Sequence, residues 1–337
     1  MNQINQQFYM PAEWQKHSAI WLSWPHGIAT FPKLDKVEET YIKIITAIHT
    51  SEHVNLFVRD KAMQDKIMRL LNDVDLKKIT FFFHDYADVW FRDYGPIFVT
   101  NGKELAITKW IFNAWGNKYE ELIKDNDIPY IINKKLGLKL VDTRIVLEGG
   151  SIDVNGNGTL LTTEQCLLNP NRNHSLSKKE IEDNIKMHLG VKNIIWLKNG
   201  IEGDDTDGHI DDIARFVNES TVLCCYEEED DNFEILKENY YILCNSKDQD
   251  GNSLKVIKLP MPGKVMCEHG RLPASYANFY IGNTVVLVPI FGHKNDSKAL
   301  RIIQDQFPKR KVIGINCTDL VYGLGTLHCI SQQQPII

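Results

Sequence analysis

One cysteine, one histidine and three carboxylates stand out as groups that could do chemistry. Cys329 lies in Gly323-Leu324-Gly325-Thr326-Leu327-His328-Cys329-Ile330, an apolar run after glycines that let the backbone turn tightly and approach a ligand closely. The run reads as a short strand, so the neighbouring His328 points to the opposite face and is no natural base for the thiol. A base must come from elsewhere, and Gly208-His209-Ile210-Asp211 offers one. Read as strand, it sets the imidazole of His209 and the carboxylate of Asp211 on one face. Trp90-Phe91-Arg92-Asp93-Tyr94-Gly95-Pro96 places Asp93 beside an aromatic and a cation, and Leu147-Glu148-Gly149-Gly150 places Glu148 before two glycines. Thiol, imidazole and carboxylate together support nucleophilic attack on a carbon centre.

The surplus of carboxylates narrows the electrophile. A cysteine protease needs donors for an oxyanion, not a ring of anions. Anions around a nucleophile imply a cationic electrophile. A guanidinium fits, being planar and permanently charged, with hydrogens that match two carboxylates in bidentate geometry. Blander readings are a buried inert cysteine, carboxylates that cap turns or pair with arginines, and zinc held by His209 and Asp211. No C-x-x-C or H-E-x-x-H pattern supplies further zinc ligands. The acidic run Gly203-Asp204-Asp205-Thr206-Asp207-Gly208 fails as a calcium loop, because the first and last positions would fall on Gly203 and Ala214. No glycine loop of the phosphate-cradling kind is present.

These residues need elements to position them, and the chain carries a weak repeat that could do so. A polar start, an alternating apolar run, a turn with Asn or Gly and a second apolar run recur at Arg92–Ile107, Glu148–Leu161, His209–Leu223 and Tyr276–Val288. Asn-Gly and Gly-Asn between such runs are strong hairpin signals. Turn-to-turn spacing is roughly 55 to 65 residues, which suits a ring of sizeable modules better than a solenoid. Helix and strand patterns follow most hairpins. Ser177-Lys178-Lys179-Glu180 opens a segment to Leu189 as a capping box, with Ile194–Leu197 as the next strand. Asn232–Cys244 then Lys255–Ile257, and Ser297–Phe307 then Lys311–Ile313, repeat the scheme. Near the beginning, Ser18–Trp24 precedes a helix over Leu34–His49 and a strand over Val54–Val58. The expectation is an α/β chain of about five ββαβ-like units, one domain over residues 1–337, with the polar starts converging if the units form a ring.

Composition sets bounds. The 337 residues are 43% hydrophobic and 24% charged, with a net charge of −6, so no basic footprint argues for nucleic acid. Met1–Gln7 has no basic start and no apolar run, so no signal peptide is expected, and no stretch has the apolar length to span a bilayer. Seven cysteines, an odd number, argue against a disulfide framework and for a reducing cytoplasm. The acidic run Glu227–Asp231 reads as a solvated loop. Oligomeric state is not legible, and a homo-oligomer is compatible with everything above.

Taken together the motifs resemble the agmatine deiminases, which belong with the bacterial peptidylarginine deiminases in the guanidino-group-modifying superfamily. The resemblance runs from Met10-Pro11-Ala12-Glu13-Trp14 through the segments around Asp93, Glu148 and Asp205–Asp211 to Gly325-Thr326-Leu327-His328-Cys329-Ile330-Ser331-Gln332-Gln333. Thr326 stands where a further glycine is common, and Ser331 where threonine is common. The resemblance implies a five-bladed α/β propeller of pentein type, agreeing with the repeat. It implies Cys329 as nucleophile, His209 as general acid/base, Glu148 as the carboxylate orienting that histidine, and Asp93 with Asp211 as the guanidinium clamp. Trp90 would pack on the substrate and Asp205 would meet the distal amine, helped by Asp204 or Glu202. The substrate implied is the small cationic guanidine agmatine, with neither metal nor organic cofactor. Free or peptidyl arginine is the rival, favoured if Arg92, Arg215 or Arg271 faced the pocket. A noncatalytic polyamine-binding protein is a rival of another class.

Overall fold

The computed structural model describes residues 8–337; Met1–Gln7, where no signal peptide is expected, lie outside the described residues. Strands His17–Ser23 (β1) and His53–Val58 (β2) run parallel through the helix Leu34–Ile48, and Ile79–Phe83 (β3) adds in parallel after the helix Lys61–Leu70. One scheme then repeats: antiparallel hairpin, helix, parallel strand. Ile97–Thr100 (β4) and Leu105–Ile111 (β5) form a hairpin, and Lys139–Val146 (β6) joins β5 after the helix Ile128–Leu136. Asp153–Val154 (β7), Thr159–Thr163 (β8) and Asn193–Leu197 (β9) do the same around the helix Lys178–Leu189. Ala214–Asn218 (β10), Thr221–Cys225 (β11) and Lys255–Leu259 (β12) follow around Phe233–Asn245. A short ribbon of Met266–Cys267 (β13) and Gly270–Arg271 (β14) intervenes. Tyr280–Ile281 (β15), Val285–Ile290 (β16) and Lys311–Asn316 (β17) complete the series around Asp296–Gln306.

The first sheet obtains its antiparallel partner from the far end of the chain. Gln332–Pro335 (β18) pairs with β1, giving the order β18-β1-β2-β3. Five mixed sheets of one scheme therefore stand among the described residues, besides the ribbon. Cys329 lies three residues before the strand that links the two ends.

Local sequence explains the elements. Ser177 caps its helix by accepting from the Glu180 backbone N–H, while Glu180 accepts from the Ser177 N–H, and Gly190 closes the other end in the left-handed region. The helix Leu34–Ile48 buries Val37, Tyr41, Ile44, Ile45 and Ile48, one apolar stripe at helical spacing. Interior strands such as β2 and β11 are buried almost throughout, as apolar runs covered on both faces should be.

Two expectations about the polar starts are corrected. His209 and Asp211 are not on a strand: Ile210–Asp212 is a 3₁₀ turn, and β10 begins only at Ala214. Cys329 is likewise in a turn rather than a strand, with the Ile330 N–H donating to Thr326 O at 3.2 Å and the Ser331 N–H to His328 O at 3.0 Å. Asp93 sits on the helical turn Phe91–Tyr94, and Glu148 immediately precedes the turn Gly149–Ser151. The hairpins β4–β5, β7–β8 and β10–β11 are thus entered through helical turns, because tertiary hydrogen bonds there outweigh the alternating pattern. The Arg92 N–H, for example, donates to Cys329 O at 3.0 Å.

Candidate active site

Those helical turns bring the predicted residues together. Cys329, Asp93, Trp90 and Asp205 line one cavity of about 410 Å³, the size of a small-ligand site. Asp211, His209 and Glu148 do not line it; Asp211 approaches it through Cys329, His209 through Asp93, and Glu148 through His209. The Cys329 thiol lies 3.8 Å from Asp211 Oδ2 and accepts from Asn278 Nδ2 at 3.0 Å. His209 Nδ1 is 3.6 Å from Asp93 Oδ1. Glu148, Cys166 and His209 offer polar atoms within 4.8 Å of one another, and all three are buried. Among the described residues no group of three ligand-type side chains contains both His209 and Asp211.

Asp93 is held on both oxygens. Gly150 N–H donates to Oδ1 at 3.0 Å and Trp115 Nε1 to Oδ2 at 2.9 Å. A side chain at 150 would meet His209 Nδ1 at 2.6 Å, Asp93 Oδ1 at 2.7 Å and Asp211 Oδ2 at 3.1 Å. Glycine is what lets these three groups approach one another. Glu148 is not hydrogen-bonded to His209. Its Oε1 accepts from Arg172 Nε at 2.7 Å, and Oε2 is left without a partner. Both ring nitrogens of His209 and Asp211 Oδ1 are unpartnered too. A buried polar group without a partner is costly, and here several lie around one spot.

Charge is unevenly spread through the site. Burial pushes the Cys329 thiol well above its ordinary value, and Asp211, Asp212 and Asp93 push it the same way. Burial also raises Asp93 to about 6, opposed by His209 and reinforced by Asp211 and Glu148. For His209 burial works downward, but Asp93, Cys166 and Glu148 outweigh it and hold the imidazolium well above the ordinary range. Burial works upward on Asp211, yet His328, His209 and Arg215 keep it below the usual carboxylate value.

The outer cavity departs from expectation in part. Asp205 accepts from Tyr119 Oη at 2.5 Å and lies 3.5 Å from Lys118 Nζ. Asp204 is not among the residues lining this cavity; it accepts from the N–H groups of Thr206, Gly208 and His209 and so builds the loop. Glu202 turns to Arg271, 3.7 Å away. Arg92, Arg215 and Arg271 face away as well: Arg92 donates to Gln333, Arg215 to Asp153 and Glu13, and Arg271 to Asp230. The cavity wall carries Asp88, Asp93, Glu121 and Asp205 and no Lys or Arg.

Reading the sequence missed Asn278, whose amide contacts the thiol and whose Oδ1 accepts from Thr326 Oγ1 at 2.7 Å and from the His328 N–H at 3.0 Å. Its signal was its place, as the polar start of the last hairpin. Cys166 and Arg172 had no such signal.

Five mixed α/β sheets and a buried thiol set among carboxylates define a class of thiol-bearing α/β enzymes. The model of Porphyromonas-type peptidyl-arginine deiminases matches residues 9–335, and the chain belongs to that family. A relative in Legionella pneumophila (strain Paris) is 39% identical over 334 residues, spanning 97% of this chain and 95% of its own. The agmatine deiminase of Medicago truncatula is 35% identical over 367 residues, spanning 98% of this chain and 97% of its own. The solved agmatine deiminase of Enterococcus faecalis superposes with a TM-score of 0.90 at 34% identity, over 98% of this chain and 96% of that one.

Proposed function

We propose that this chain hydrolyses agmatine to N-carbamoylputrescine and ammonia through an amidino-cysteine intermediate. One observation carries the reading: a buried thiol at the wall of a cavity lined by four carboxylates, with one histidine, His269, and no lysine or arginine among its described lining residues. Such a wall suits a substrate with a guanidinium at one end and an ammonium at the other. Full-length similarity to agmatine deiminases supports the same choice.

Asp93 and Asp211 hold the guanidinium, each charge-assisted hydrogen bond contributing about 1.5–3 kcal/mol. The cation offsets the carboxylates that keep the thiol neutral at rest, and the Cys329 proton leaves to solvent. The thiolate adds to the guanidinium carbon, forming a C–S bond. The C–N bond then breaks and the departing nitrogen takes a proton from His209, leaving as ammonia. A cationic amidino-cysteine and a neutral His209 remain. His209 next takes a proton from water, hydroxide adds to the carbon, and the C–S bond breaks as the adduct's hydroxyl proton passes to the departing sulfur, which restores the neutral thiol and releases the ureido product. Glu148, close to His209 though not hydrogen-bonded to it, helps to keep the imidazole charged. Trp90 packs on the methylene chain, and Asp205, shared with Tyr119 and Lys118, meets the distal ammonium. No step calls on a metal or an organic cofactor.

The sheets are read as the blades of a five-bladed propeller in one domain, with the site near its axis. Seven free cysteines suit a cytoplasmic setting. Among the described residues no helix is long and apolar enough to cross a membrane. The test is ammonia release from agmatine, free arginine and a blocked arginyl peptide. Agmatine should give the highest kcat/KM. Better turnover of either arginine substrate overturns the substrate, and no release from any overturns the deiminase reading.

A further inference from the structure

His328 was dismissed as a base for its neighbour, and the geometry gives it another place. Its Nδ1 lies 2.7 Å from Asp211 Oδ2 and its Nε2 lies 2.7 Å from Glu13 Oε2. The ring is buried, and so are both carboxylates. Each ring nitrogen therefore has one carboxylate partner, and the ring is held at both ends. Glu13 is itself anchored: it accepts from Arg215 Nη2 at 2.9 Å and from the Ile281 N–H at 2.7 Å. The result is a strut that runs from Glu13, in the segment ahead of β1, through His328 to one oxygen of Asp211. The other oxygen, Oδ1, is buried and has no partner.

We propose that His328, braced by Glu13, is a positioning residue that fixes the Asp211 carboxylate beside the Cys329 thiol, where it meets the guanidinium. This rests on the reading of Asp211 as half of the clamp. Three features favour it. An aspartate with one oxygen tied down has one orientation left, so the ordering cost of the clamp is met before the substrate arrives. His328 and Cys329 are adjacent and share Asn278, which accepts from both backbone N–H groups at 3.0 and 3.3 Å, so clamp and thiol are set by one rigid turn. Finally, the strut ties the segment before β1 to the turn before β18, the two strands that pair the ends of the chain.

The two ring nitrogens can be tested separately, because the amide nitrogen of Asn can stand where Nδ1 does and that of Gln where Nε2 does. His328→Asn keeps the donor to Asp211 and loses the one to Glu13; His328→Gln does the reverse. Steady-state kinetics on agmatine should show KM in His328→Asn, which loses only the brace, raised about threefold over the parent chain. In His328→Gln, KM should rise about tenfold or more, the scale of one charge-assisted hydrogen bond. Agmatine Kd, measured calorimetrically in a Cys329→Ala background, should follow the same order, which separates binding from chemistry. A role that is only structural predicts equal melting losses in the two variants with KM unchanged in both, and that result overturns the proposal, as does Gln outperforming Asn. If either variant fails to fold, Glu13→Gln takes its place. It should raise KM at least about threefold, and an unchanged KM refutes the brace. An inactive parent chain would instead refute the deiminase reading, so the two failures are distinct.

Discussion

Asp93 titrates far from the range of an ordinary aspartate, and the sign of that shift sets the pH behaviour of the site. With Asp93 raised to about 6, the folded chain holds its proton more tightly than the unfolded chain does. The associated stabilisation is complete below pH ~4 and is lost as pH rises through about 6. Agmatine needs the ionised form, so its binding should run the other way. In Cys329→Ala the thermal shift produced by agmatine should be full near pH 8 and shrink below pH 6, with Kd weakening about tenfold per pH unit. A shift independent of pH between 5 and 8 would remove Asp93 from the clamp. His209, held above its ordinary value, supplies the opposite limb: turnover should fall as pH rises through that raised value, because the leaving nitrogen then finds no proton. Cys329 itself gives the sharpest residue-level outcome. Acid-quenched turnover should leave an amidino-sized mass increment on Cys329 and on no other cysteine. Cys329→Ala should be inactive, and Cys329→Ser nearly so, because an alkoxide is much harder to generate than a thiolate.

At the scale of the element, helical turns that lead into hairpins carry the proposed site residues Asp93 and Asp211, and they are sensitive to volume. Gly150 is not in the left-handed region, so Gly150→Ala meets no backbone strain; its methyl would instead press on His209 and Asp93 at 2.6 and 2.7 Å. The expected outcome is a fall in kcat/KM of about 100-fold or more at a stability cost of about 1–3 kcal/mol, read by kinetics and chemical denaturation. Ser177→Ala is the matching control on a remote element. It removes a capping box, should cost about 1 kcal/mol and should leave kcat/KM unchanged. The same contrast explains what the sequence could tell. Capping boxes, Asn-Gly turns and helical stripes act within a few residues, so the helix Lys178–Leu189 and the β4–β5 hairpin were legible. The turns at Asp93, His209 and Cys329 alternate like strands but answer to partners far along the chain, such as Gly150 N–H on Asp93. For the same reason His328 was set aside on a strand rule that does not apply to a turn. The β1–β18 pairing joins opposite ends and leaves no local mark. The site residues themselves were legible chiefly through their family motifs, which carry such distant partnerships implicitly.

At the scale of the whole molecule, charge decides which guanidine is favoured. The chain carries a net charge of −6, and its cavity wall adds Asp88, Asp93, Glu121 and Asp205 without a lysine or arginine among the lining residues. A concave, one-signed surface concentrates a ligand of opposite sign and speeds its capture. Agmatine is a dication, whereas free arginine brings a carboxylate that these groups repel. Repulsion between like charges in a partly buried site can cost several kcal/mol, a factor of hundreds in kcat/KM. Arg92, Arg215 and Arg271, which could have reversed that preference, spend their donors on Gln333, Asp153 and Asp230 elsewhere in the fold. Lys118 reaches the wall at Asp205 and is shared between Asp205 and Asp207. Two measurements follow. kcat/KM for agmatine should decline steadily as salt is raised from about 0.01 to 0.5 M, because the Debye length shortens from about 30 Å to a few ångströms. Asp205→Asn should raise the KM for agmatine more than it lowers kcat and should narrow the gap to arginine, since a contact with the far ammonium is made equally before and during the chemistry. If agmatine turnover proves indifferent to salt and Asp205→Asn leaves the agmatine-to-arginine ratio where it was, the acidic wall does not select the substrate. Discrimination would then have to come from the fit of the chain between Trp90 and the cavity mouth.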